Sequence, residues 1–156
     1  MIAIGALCVD GSPTSPFALI NTEYESSWQF FLQVMNTMHA LFDDVEPDLA
    51  KLDLEPKSFF LLGVVDENPY PAHMAKALSL PNPTITFLLK RLEARAYVKR
   101  SNEPGDLRKY RFTLTAAGRK ALLKGQSILG KRLDAMLGKL SVADRNQLFK
   151  LFGSLN

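Results

Sequence analysis

Apolar positions along this chain recur mostly at helical spacing. Trp28, Phe31, Leu32, Met35, His39 and Phe42 come after a Thr22/Glu25 pair with the spacing of a capping box, which predicts one long amphipathic helix over about 23 to 44. Pro47 and Pro56 punctuate the next stretch, with room for a short helix around 48 to 52. A further helix opens at Pro56, a first-turn position that proline favours, and Phe59, Phe60, Leu61, Leu62 and Val65 make it largely buried. Asn68-Pro69 ends that helix; Pro71 opens another, with Met74, Ala75 and Leu78 facing inward.

The next helix is the most sharply specified. Asn82 is a good N-cap and Pro83 suits the first helical position. Ile85, Leu88, Leu89 and Leu92 then fall at i, i+3, i+4 and i+7, so the opposite face carries Pro83, Phe87, Lys90 and Ala94, flanked by Thr84, Thr86 and Arg91. Ser79-Leu80-Pro81 becomes a tight turn between two short helices, the helix-turn-helix arrangement whose second helix enters the DNA major groove. Beyond it, Tyr97 to Arg100 reads as a strand, Ser101 to Leu107 contains Pro104-Gly105-Asp106 turn chemistry, and Arg108 to Leu114 alternates polar with apolar residues. This is a β-hairpin with one apolar and one cationic face. Ala116 to about Gly138 forms a long helix, and Ser141 with Asp144 caps a last one bearing Leu148, Leu151 and Phe152. The fold class is mainly α, with a small hairpin wing.

Composition sharpens this. With 156 residues, 47% of them apolar, the chain has enough to build one domain around a core. Its net charge is only +3, yet residues 1–70 hold two lysines against eleven acids and residues 71–156 hold seventeen cations against five. Ten of those cations lie between 90 and 120, on the helix exterior and the hairpin, a distribution suited to a polyanion. Mixed charge on helix exteriors also serves solvation alone. The single cysteine, Cys8, has no intramolecular partner, and no segment reads as a signal peptide or membrane span, so a cytoplasmic location is expected. Two histidines, one cysteine, no phosphate-cradling glycine loop and no spaced metal ligands argue against an enzyme and against a metal or other cofactor.

The segment AHMAKALSLPNPTITFLLKRLEARAYVKR (72 to 100), with DLRKYRFTLT (106 to 115), TAAGRKALL (115 to 123) and LSVADRNQLFKLF (140 to 152), resembles the MarR family of winged helix-turn-helix transcription regulators. The likeness runs from about residue 23 to the end and is most specific in the wing pattern of Asp106, Arg108 and Leu114-Thr115. It implies dimerisation helices at 21–46 and 116–156 and a DNA-binding region at 47–115; residues 1–20 are an N-terminal extension that matches nothing in the family pattern and suits either a wider dimer interface or disorder. It further implies a homodimer on an inverted-repeat operator, acting as a repressor whose DNA is released by a small lipophilic or aromatic effector. On the helix, Asn82, Thr84, Thr86, Phe87, Lys90 and Arg91 become candidates for major-groove contacts; Lys90 and Arg91 also suit plain surface charge. On the wing, Arg108 is the candidate for the minor groove, with Lys109 beside it and Asp106 supporting the turn.

Departures from the family pattern are informative. Pro83 and Phe87 stand where polar residues are common, and Ala96 where a C-capping glycine is usual. An apolar Phe87 suits a thymine methyl group, or packing against a neighbouring element. Trp28, Met35, Met38 and His39 are candidates to line an effector pocket, although the same stripe suits core or dimer interface. The first-helix region has no cysteine for a thiol switch, and Cys8 lies well before it. An alternative outside DNA recognition is a winged-helix module that binds another protein through Phe87.

Overall fold

The computed structural model describes residues 25–103 and 106–155; Thr22, Cys8 and the 1–20 extension fall outside them. Among the described residues, six helices and one hairpin are arranged in the order α1 (Glu25–Ala50), α2 (Pro56–Val64), α3 (Pro71–Leu78), α4 (Asn82–Ala94), β1 (Val98–Glu103), β2 (Asp106–Leu114), α5 (Ala116–Leu137) and α6 (Val142–Gly153). The described residues divide into two compact units, one ending at His39 and one starting at Ala40. Among the described residues no helix is long and apolar enough to cross a membrane.

In the first unit, α1 stacks Trp28 on Phe31 with ring centroids 5.4 Å apart, while Phe30, Phe31 and Met35 stay exposed. The second unit begins with a departure from expectation. Instead of stopping near 44 and restarting at 48, α1 runs through Pro47 to Ala50. A proline inside a helix removes one backbone hydrogen bond and crowds the preceding turn. Here Leu41, Val45 and Leu49, at i, i+4 and i+8, are all buried, and that continuous stripe holds the helix together across the lost bond.

Helix α2 begins as expected with Pro56 in its first turn after an extended Glu55. Phe59, Leu61 and Leu62 are buried, but Phe60 is not: it lies at the surface edge-on to Phe42, at 5.6 Å. Two consecutive phenylalanines on a helix cannot both face one core, because successive residues diverge by about 100°. Leu61, Leu62, Met74, Ile85, Leu92 and Val65 form the centre of the core where α2, α3 and α4 converge.

Three helix ends in this unit turn through left-handed residues, and none is glycine. Asp53 comes after α1 at φ 53°, Ser79 after α3 at φ 51°, and Ala96 after α4 at φ 55°. At Ala96 the backbone makes a full Schellman closure, with Tyr97 N donating to Leu92 O at 2.9 Å and Ala96 N to Glu93 O at 2.9 Å. Alanine has no side-chain compensation for the left-handed strain. Ala96→Gly is expected to stabilise the protein by about 1 kcal/mol, read as a higher midpoint in urea at unchanged slope; an unchanged or lower midpoint would contradict the strain assigned to this position.

The start of α4 also differs by one position. Pro81, not Asn82, is the capping residue, in extended conformation with no side-chain cap, so Asn82 and Pro83 occupy the first two helical positions. Ile85 N donates to Pro81 O at 3.2 Å, which fixes that register. The displaced Asn82 side chain is thereby left for other contacts.

Regular pairing in the hairpin runs from Val98↔Leu114 to Asn102↔Tyr110, and the next pair is Glu103↔Asp106. Both strands extend further toward the tip than the turn expected over 101–107. At its base the hairpin is tied to the helices: Phe112 N donates to Pro69 O at 2.8 Å, Tyr97 Oη to Leu52 O at 3.0 Å, and Thr115 Oγ1 to Ala96 O at 2.6 Å. Thr115 Oγ1 also caps α5 by accepting from Gly118 N at 3.0 Å. Gly125 meets the Phe59 ring so closely that a β-carbon there would lie 2.6 Å from it. Farther along, Arg132 reaches Asp44 at 3.5 Å and Asp48 at 3.4 Å. Lys51, then Arg132, holds the Asp48 carboxyl below the usual carboxylate range. As expected, α6 is capped by Ser141, which accepts from Asp144 N at 3.2 Å; none of its residues is buried.

Candidate nucleic-acid interface

Helix α4 presents the two faces its spacing implies. Ile85, Leu88, Leu89 and Leu92 are buried, whereas Pro83, Phe87, Lys90 and Ala94 are exposed, with Phe87 at 59%. Asn82 and Thr86 are exposed beside them and Thr84 is half-buried. The candidate residues of this helix therefore lie on or beside one surface, beginning at its N-terminal turn.

Their chemistry is not equally available. Thr86 Oγ1 donates to Asn82 O at 3.0 Å, so the hydroxyl proton is committed to its own helix. Arg91 Nη1 donates to Glu55 Oε1 at 2.7 Å, and its Cζ lies 5.6 Å from the Phe87 ring centroid. Glu55 in turn accepts from Ser58 Oγ at 3.3 Å. Arg91 thus braces α4 against the start of α2 and flanks Phe87. Spacing along the helix makes Arg91 a candidate for DNA contact or for plain surface charge; Glu55 lies 36 positions away, and no local pattern signals the pairing.

The hairpin supplies the second part of the surface. Lys99 and Arg111 are exposed on one face. On the other, the Arg100 guanidinium stacks over the Tyr110 ring at 3.7 Å, so the nominally apolar face carries a cation as well. Alternation alone assigns Arg100 no such position. Asp106, Arg108 and Lys109 fall on β2, with Asp106 opposite Glu103; their side chains lie outside the described residues, as do Pro104 and Gly105.

The remaining candidates are elsewhere. Trp28, Met35, Met38 and His39 lie on α1 in the first unit, half-buried or exposed. An open groove of about 660 Å³ runs beside the start of α5, lined by residues that include Leu114, Arg119, Lys120, Leu123 and Lys124 and none of those four. Arg119 in that groove is paired with Asp66 at 2.8 Å.

Neither a family model nor a curated protein matches the sequence. Solved structures do match. A mutant MepR from S. aureus is 23% identical, with 83% of this chain and 98% of that one covered at a TM-score of 0.67. The reduced form of MarR from E. coli is 20% identical over 79% of this chain and 93% of that one, at a TM-score of 0.72. A mutant E. coli MarR complexed with operator DNA is 18% identical over 86% and 99%, at 0.70. These likenesses establish that the chain has the winged-helix fold of MarR-family regulators.

Proposed function

We propose, from the MarR-type fold this chain adopts, that it is a DNA-binding transcription regulator that reads an inverted-repeat operator as a homodimer. The observation that carries the reading is the exposed face of α4, rising from the Ser79-Leu80-Pro81 turn beside a cation-bearing hairpin, in a fold whose solved examples include an operator complex. Asn82, Thr84, Thr86, Phe87 and Lys90 are assigned to the major groove, and Arg108 with Lys109 to the adjacent minor groove and phosphates, with Asp106 shaping the wing. Arg91 is assigned to bracing the helix through Glu55.

Two copies associate in this reading through apolar faces that the described residues of a single chain leave uncovered. Val142, Phe149, Leu151 and Leu155 near or on α6 are each more than half exposed, as is Phe30 on α1. The two-fold axis of such a dimer is what makes the operator an inverted repeat with half-sites about one helical turn apart. Repression by occupying the operator, its relief by a small lipophilic or aromatic compound, and a cytoplasmic, non-enzymatic role are what the family resemblance adds. Exposure of Phe87 favours one other reading, a winged helix that docks on a protein.

Selection of bound sequences from a random DNA pool, with the wild-type chain and Arg108→Ala, separates the two. The expected result is enrichment of an inverted repeat by the wild type and roughly tenfold weaker binding by the variant, corresponding to the loss of one good groove contact. No enrichment even at low salt would overturn the regulator reading.

A further inference from the structure

We infer that the exposed face of α4 reads the 5-methyl group of thymine, with Phe87 as the specificity-determining residue and Pro83 as its apolar neighbour. This rests on the proposed docking of α4 in the major groove. What the structure adds is which groups on that helix are left to do the reading.

The polar candidates on α4 are largely committed. The Thr86 hydroxyl is donated to Asn82 O, and the Arg91 guanidinium is held by Glu55. Thr84 is half-buried. Asn82 and Lys90 remain, at the two ends of the exposed surface, and between them stand Pro83 and Phe87 at i and i+4. Residues four apart on a helix are neighbours, so these two form one apolar ridge. Its centre is a phenyl ring 59% exposed, which neither donates nor accepts a hydrogen bond.

The surroundings of the ridge decide its occupant. Lys90 is exposed one turn beyond Phe87 and carries no ion pair among the described residues, so any partner brought against the ridge arrives beside a cation. A polyanion meets that condition better than an apolar protein face. Among the base edges in the major groove, the one apolar feature is the thymine methyl; cytosine presents an amino group and the purines present acceptors or donors. A phenyl ring placed there gains from excluding water around the methyl and leaves an amino group unpaired. Discrimination is therefore against cytosine and, through the missing methyl alone, against a pyrimidine that pairs like thymine but lacks it.

The test replaces each thymine of the selected operator, one symmetric pair at a time, with deoxyuridine, and measures binding by the full-length wild-type chain and by Phe87→Ala. Base pairing and every hydrogen-bonding edge are unchanged by that replacement, so only the methyl is removed. One symmetric pair is expected to cost the wild type about fourfold per half-site, the worth of one buried methyl-sized group. In Phe87→Ala the thymine and deoxyuridine operators should bind equally, while the steepness of the salt dependence is retained. Phe87 is exposed, and the variant's unfolding midpoint checks that its fold is intact. If the wild type binds the operator but no deoxyuridine pair matters, methyl reading is wrong and the regulator reading stands. A methyl effect that persists in Phe87→Ala would assign it to another residue and overturn the inference. Failure of the wild type to select any sequence would remove the regulator reading, and this inference with it.

Discussion

Replacing Gly118 with alanine is expected to cost at least about 3 kcal/mol of stability, the upper range for a steric insertion that the backbone cannot absorb. A β-carbon on Gly118 would lie 1.9 Å from the carbonyl oxygen of Tyr97 and 2.8 Å from its carbonyl carbon. The obstacle is backbone, and it is held in place. Tyr97 O accepts from Thr115 N at 3.1 Å, and Thr115 Oγ1 accepts from Gly118 N while donating to Ala96 O. To admit one methyl group, the first turn of α5 must back away from the start of β1, which breaks the cap and the ties at the hairpin base together. Urea unfolding is the measurement, with a large fall in midpoint as the outcome. Gly130→Ala in the same helix is the control, since nothing lies within 4 Å of a β-carbon there. It should gain about 0.5–1 kcal/mol from helix propensity. Equal effects of the two substitutions would mean that the Tyr97 approach is not a constraint.

The largest functional effect is expected from salt. If each half of a dimer engages three to five phosphates through the wing and the ends of α4, raising salt from about 50 to about 200 mM weakens binding by roughly 10³ to 10⁵-fold, through release of condensed counterions. The assignment depends on position as well as number of charges. Only two of the nineteen lysines and arginines fall before residue 71. Lys90, Lys99 and Arg111 are exposed on α4 and the hairpin. Lys99→Ala should lower the slope of log affinity against log salt by about 1 for each phosphate it neutralises in each half-site, with little change in which sequence is selected. A slope near zero for the wild type would point to the protein-docking reading of Phe87, because an apolar contact is not salt-sensitive in this direction.

The features of the fold that are legible in the sequence are those whose cause is local. The buried stripe of α4, Ile85 through Leu92, comes from spacing alone, and so does the choice of Phe87 and Lys90 for the outside. Ser141 and Asp144 are legible as a cap because both partners lie within one turn. The start of α4 differs from expectation by one residue because Asn82 is the better capping side chain, whereas the proline before it already has the extended backbone that a cap requires. Pro47 reads as a break, since local chemistry disfavours it in a helix; burial of Val45 and Leu49 decides otherwise, and Leu49 lies against Gly125, far along the chain. Arg91 on Glu55, Tyr97 on Leu52 and Gly118 on Tyr97 join segments up to 45 positions apart. Pairings of that kind leave no periodic trace. In the candidate site the consequence is specific: the members of the exposed face are legible, but which of them are already committed to internal bonds is not.

The C-terminal helix has a consequence for how this protein behaves as a population of molecules. Helix α6 is 12 residues long, in the range of about 12–15 residues below which an isolated helix is marginal in water, and it buries no residue within its own chain. In the proposed homodimer a second copy would cover it, and the order of this last segment would then depend on how much of the protein is present. On that reading, dilution should loosen α6 before it disturbs the core around Leu61 and Met74, leaving a chain whose proposed DNA-reading half is folded and whose pairing half is not.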